Sequence, residues 1–157
     1  MTHPTIITSE PGLPFVDLVR EFDAPAAAVF HAHVDPKLYA EWLGPRTMQL
    51  DGMELDARPG GRWKYVFRGG DSDAPMSFFG VFHTVELNTL LIQTFEFNLA
   101  PGQVGISTSR FDEHDGRTRL TIREVYPSVE ARDMAVASGM EHGIIEGYER
   151  LDELLAR

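Results

Sequence analysis

The sequence predicts an α+β domain in which a six-stranded antiparallel meander is closed by a long C-terminal helix. Two observations carry this prediction. Between Met48 and Tyr126 almost every stretch is a short, strand-like run bounded by Gly, Pro, Asn or Asp. After Pro127-Ser128 the period changes: at about 100° per residue, Val136, Met140, Ile144, Tyr148, Leu151, Leu154 and Leu155 fall within one arc.

Residues 1–14 carry Pro4, Pro11, Gly12 and Pro14 with no period, and are expected to form a flexible N-terminal tail ahead of one domain over 15–157. "FVDLVREF" sets Val16, Leu18 and Phe22 against Asp17 and Glu21 and predicts a half-buried strand, although Val19 and Arg20 blur the alternation. "APAAAVFHAHVD" is helical in composition, with Pro25 in its first turn and Asp35-Pro36 at its end. A second short helix, "KLYAEWL", stops at Gly44-Pro45.

The meander then reads "MQLDGMEL", "RWKYVFR", "MSFFGVFHTVEL", "LLIQTFEF", "QVGISTSRF" and "RTRLTIREVY". Turn chemistry separates these runs at Arg58-Pro59-Gly60-Gly61, Gly69-Gly70-Asp71, Leu87-Asn88-Thr89, Pro101-Gly102 and Asp115-Gly116. In "RWKYVFR" Trp63, Tyr65 and Phe67 share one face and Arg62, Lys64 and Arg68 the other. Ser128 is placed to cap a single helix running to the C-terminus. Within that helix Gly139, Gly143 and Gly147 recur every fourth residue, each costing about 1 kcal/mol against alanine. Either the row leaves space beside the helix or it lets another element lie close.

Composition narrows the function. A length of 157 residues suits one domain, and a net charge of −10 opposes binding to nucleic acid or an anionic membrane. With no cysteine, thiol catalysis and thiolate metal sites are excluded, and no run of eighteen apolar residues is present. The expected setting is cytoplasmic.

In order and spacing, "REFDAPAAAVFHAHVDPKLYAEWLGP", "ARPGGRWKYVF", "GVFHTVELNTLLIQTFEF" and "SGMEHGIIEGYERLDELL" resemble the family of homologues of the activator of heat-shock protein 90 ATPase, a branch of the START-like (SRPBCC) superfamily. The resemblance covers Phe15 to Leu155. It departs at Leu43, where the family often has a second Trp, and at the loop "GGDSDAP". It implies the helix-grip fold, β-α-α-β6-α, with a curved sheet wrapped around the final helix and an apolar cavity between the two. In that setting the glycines would enlarge the hollow.

Strand parity and the helical arc place Trp42, Trp63, Tyr65, Phe67, Phe82, Phe95, Met140, Gly143, Ile144, Gly147 and Tyr148 around such a cavity, although any one of them can equally be plain core. No catalytic residue, cofactor or metal is assigned. His31 and His33 stand two apart on a helix and diverge, His142 lies on the polar arc, and Asp71-Ser72-Asp73 opens like a calcium loop but lacks its continuation. Glu96 and Glu124 sit inside apolar strands, where alternation predicts a solvated face for both; burial would raise either pKa toward a useful range.

The expected function is binding of a small apolar or amphipathic molecule in the cavity without catalysis. One alternative is a cyclase or dehydratase that uses Glu96, Glu124, His83 or Tyr65 on a bound ligand. The other is a chaperone-activator-like interaction module, although that activator carries a further N-terminal domain that a chain of this length is not expected to hold. A homodimer is left open.

Overall fold

The computed structural model describes residues 3–69 and 72–157. Eight strands form one antiparallel sheet in the order β1-β2-β8-β7-β6-β5-β4-β3. They are β1 (Ile6–Thr8), β2 (Phe15–Phe22), β3 (Met48–Leu55), β4 (Arg62–Gly69), β5 (Ser72–Glu86), β6 (Leu90–Phe97), β7 (Gly105–His114) and β8 (Arg117–Val125). Helices α1 (Ala26–Val34) and α2 (Pro36–Trp42) lead from β2, at one end of the sheet, to β3 at the other. Helices α3 (Val129–Ala137) and α4 (Met140–Leu155) close the chain. This is the expected α+β helix-grip architecture, with more strands than the meander alone supplies.

The added strand comes from the supposed tail. Ile6, Ile7 and Thr8 pair with Val19, Leu18 and Asp17 on β2. Three side chains hold the flanking segment: Arg20 Nε donates to Thr5 Oγ1, Arg132 Nη1 donates to Glu10 O, and His3 Nε2 lies 2.9 Å from Asp23 Oδ1. The sequence hid this because a three-residue strand between prolines has too few positions to show a period.

Local chemistry fixes the remaining elements. Asp35 ends α1 and caps α2, accepting from the backbone N–H of Lys37 and Leu38. The α1 N-terminus is capped from a distance: Ala26 N donates to Glu113 Oε1 at 2.7 Å. Asp115 and Gly116, both at positive φ, make the two-residue turn of the β7–β8 hairpin. Of the turn expected at Gly69-Gly70-Asp71, Gly70 and Asp71 lie outside the described residues, and Asp71 of the calcium-like Asp71-Ser72-Asp73 with them; β5 begins at Ser72.

The long final helix is broken. Ser128 caps α3 through Ala131 N as expected, but Gly139 adopts φ +83°, a left-handed conformation that ends the segment and lets α4 start in a new direction. Four residues on, α4 lies against the loop that follows α2. A Cβ on Gly143 would meet Pro45 Cδ at 3.2 Å, and one on Gly147 would meet Gly44 N and Trp42 O at 3.4 Å. The row therefore serves close approach at two positions and a chain reversal at the third. Neither Gly143 nor Gly147 borders open space, which corrects their assignment as ligand-binding residues. Arg150 reinforces the contact by donating to the carbonyls of Glu41, Leu43 and Gly44.

The core lies between the concave face of the sheet and α1, α2 and α4, around Phe22, Val29, Phe30, Phe82, Leu120 and Leu151. Arg20, which blurred the strand pattern, points inward and is 1% exposed. Its guanidinium donates to both carboxylate oxygens of Asp152, the shorter contact being 2.5 Å, and lies over the Phe22 ring. Removing one partner of such a pair costs about 3–5 kcal/mol, so it clamps α4 to β2. His33 is enclosed by Tyr39, Trp42 and Phe111, and its Nδ1–H donates to Val29 O while Nε2 has no partner. Burial depresses its pKa to about 4.

Two outcomes follow from this packing. Alanine at Gly147 meets atoms at ordinary contact distance and is expected to be neutral or stabilising by up to about 1 kcal/mol. Gly143→Ala gains less because Pro45 must yield, and Gly139→Ala costs about 1 kcal/mol through its positive φ. Thermal melts giving another order would refute the contact assignment. For His33 the unfolded chain takes up the proton first, since its pKa of 6.5 exceeds the folded value of about 4. Stability is full above the unfolded pKa and falls by roughly 3 kcal/mol as the pH drops through that interval. Denaturant titrations at pH 7.5 and 4.5 should show this loss in the native chain and a smaller one in His33→Gln.

Candidate functional site

Period-two alternation decides which strand residues face the helices. On β8 the inward set is Thr118, Leu120 and Ile122, all buried, and Glu124 continues it. On β7 the inward residues Phe111, Ser109 and Gly105 carry Ser107 with them. On β6 buried Leu91 sets the parity for Gln93, Phe95 and Phe97. Register then lines three polar side chains across adjacent strands, because Glu124 pairs with Ser107 and Ser107 with Gln93. The row stops at apolar Val16 on β2 and Phe82 on β5.

Tyr39 from α2, Tyr65 from β4 and Tyr148 from α4 lie close enough to this row to feel the charge of Glu124, with Tyr126 just beyond β8. These are all four tyrosines of the chain. Tyr39 and Tyr65 rings contact at 6.2 Å, and Tyr148 stacks on Trp42 at 5.7 Å. Each phenol pKa is raised, chiefly by burial, and each feels the charge of Glu124. Burial likewise raises the pKa of Glu124, a hydrogen bond from Tyr126 opposing it in part. That bond, from Tyr126 Oη to Oε2, is 3.3 Å long, and the same hydroxyl reaches Met140 Sδ at 3.6 Å.

The hydroxyls of Tyr39, Tyr65 and Tyr148 bond to no other described residue, and each retains surface that no protein atom covers. The same holds for the side chains of Gln93 and Ser107. Tyr148 is 6% exposed, and Tyr39 and Tyr65 are half-buried. Burial with uncovered, unbonded polar atoms is the arrangement of groups that await a partner.

The expected lining residues divide. Tyr65, Phe95, Met140 and Ile144 are half-buried on the inward side, where they join Tyr148 beside the polar groups. Trp42, Trp63, Phe67 and Phe82 are closed core. Trp42 Nε1 donates to Ala32 O, and Trp63 Nε1 reaches across Gly80 to Thr94 O. Phe67 packs against Gly44. Glu96 follows the alternation expectation, lying on the opposite parity to Phe95 and accepting from Gly102 N. Glu124 does not, because it shares its parity with Leu120 and Ile122. His83 is exposed beside Thr84, 2.7 Å from its hydroxyl, and so is removed from the enclosed groups.

Tyr39, Gln93 and Ser107 were missed. The signal was present for the latter two, since each is two residues from a buried position of its strand. Two surface depressions, of about 300 Å³ beside Arg132 and Ala137 and about 380 Å³ beside Glu21, Arg117 and Arg119, touch none of these residues. Among the described residues no three His, Cys, Asp or Glu side chains converge as metal ligands do, and no helix is long and apolar enough to cross a membrane.

The fold recurs in solved structures. A Rhodobacter sphaeroides protein superposes with TM-score 0.86 at 24% identity, covering 96% of this chain and 97% of its own. Protein Ms6760 from Mycobacterium smegmatis gives TM-score 0.86 at 24% identity over 97% of both chains. An Arthrobacter aurescens protein gives 0.81 at 25% identity, covering 96% and 91%. No curated protein matches the sequence. Residues 23–156, from the end of β2 through α4, match the family described as activator of Hsp90 ATPase homolog 1-like protein, and the chain belongs to that family.

Proposed function

We propose that the protein binds a small amphipathic molecule between α4 and the concave face of the sheet. The observation that carries this reading is the set of enclosed hydroxyls at Tyr39, Tyr65 and Tyr148, which have uncovered surface and no partner. Hydroxyls with open surface and no protein partner are available to water or to a ligand. They are a good way to hold the polar end of a ligand whose apolar part lies against Phe95, Met140 and Ile144. The reading keeps a cytoplasmic setting and a small-molecule partner rather than nucleic acid.

One observation favours a second reading. Glu124, inward-facing and with its pKa raised by burial, accepts a hydrogen bond from Tyr126, and a carboxyl–phenol pair in an enclosed site is suited to moving a proton on a bound molecule. Binding is common to both readings and is the one we adopt.

Native mass spectrometry of the purified protein is expected to show a co-purified small molecule or, after its removal, uptake of a neutral apolar probe such as N-phenyl-1-naphthylamine. Ser107→Leu would fill the hollow: probe binding should fall at least tenfold while the melting temperature holds or rises. Destabilisation by about 1–3 kcal/mol with no probe bound by either protein would mean a solid interior, and the reading would fail.

A further inference from the structure

Glu124 is the only carboxylate in the row that crosses the concave face, and among the described residues it has no cationic partner. Its one hydrogen bond comes from a neutral phenol. Its neighbours across the strands are Val16 and Ser107, neither of which carries charge. The two buried arginines of the molecule are engaged elsewhere. Arg20 is held by Asp152 and Glu21 O, and Arg132 by Glu10 O, Phe15 O and Asp133. A half-buried carboxylate with no cation beside it among the described residues is open to a counter-ion from outside the chain.

The surroundings suit a counter-ion brought by a ligand. Tyr39, Tyr65 and Tyr148 present aromatic rings and unbonded hydroxyl oxygens, and a cation is attracted to both. A net charge of −10 favours the approach of a cation and opposes that of an anion.

We infer that the site takes a protonated amine carried on an apolar body, the ammonium group pairing with the Glu124 carboxylate among the tyrosines and the apolar part lying along Phe95, Met140 and Ile144. The inference rests on the binding reading above and gives it a ligand class. In the pair the ammonium donates to Glu124 and to tyrosine oxygens, while Gln93 and Ser107 offer further acceptors. An anionic ligand would instead place like charge against Glu124.

The test uses n-decylamine, n-decanol and n-decanoate, titrated into the full chain at pH 7.5 and followed by calorimetry. Decylamine is expected to bind at least tenfold more tightly than decanol, with decanoate weakest. In Glu124→Gln, which keeps the size of the side chain, the preference for amine over decanol should shrink to within about twofold. Decanol or decanoate binding as tightly as the amine would overturn the inference and leave the binding reading standing, as would an amine preference that survives Glu124→Gln. Failure of all three to bind would overturn both. Should the variant not fold, the ranking on the native chain decides by itself.

Discussion

The close seating of α4 on the loop after α2 is the contact on which the rest of the molecule depends. It is possible only because Gly143 and Gly147 carry no side chain where Pro45, Gly44 and the Trp42 carbonyl lie. Around that bare stripe the helix is fastened by polar groups: Arg150 closes the C-terminal carbonyls of α2, and Glu146 accepts from Arg46 N. On another flank Asp152 holds Arg20 of β2. α4 is thus pinned to both ends of the sheet-to-helix connection, to β2 where α1 departs and to the loop where β3 begins. So held, it keeps its place although Ile144 on its sheet-facing side is only half-buried.

This division of labour explains the uneven interior. Near Phe22, Leu120 and Leu151 the space between helix and sheet is filled by fully buried side chains. Toward Glu124 the same inward parity carries Ser107 and Gln93, and residues there are only half-buried. Hydrophobic burial stabilises the first region, at about 25 cal/mol per Å² of apolar surface removed from water. The second region gives up part of that gain, which a fold clamped by Arg20–Asp152 and the glycine contact can bear.

The sheet and its turns were legible because their signals are local: alternation in "RWKYVFR", positive-φ residues at Asp115-Gly116, a Pro-Gly-Gly turn before β4. What escaped was whatever depends on distant partners. Arg20 looked like noise in a strand until Asp152, more than a hundred residues away, gave its charge a counterpart. The break at Gly139 was hidden because the helical arc continues in phase across it. Tyr65, Phe95, Met140, Ile144 and Tyr148 were turned toward the inward side by period alone, whereas Trp42, Trp63 and Phe67 face inward and yet are closed off by neighbours that no pattern reveals. Glu124 was assigned to solvent by the habit that charge points outward, against the parity of its own strand.

The two ends of the sheet are not alike, and their construction bears on how the protein behaves when crowded. A curved sheet that does not close on itself leaves unpaired backbone groups along its outermost strands, which can recruit a neighbour's strand and seed aggregation. Here one border, β1, is only three residues long and is followed by a turn that carries Pro11. At the other, β3 is interrupted by an irregularity between Leu50 and Gly52, where Asp51 bonds sideways to Arg68. Neither border offers a long, flat ladder, so a fold that keeps an open grip on its helix can do so without templating copies of itself.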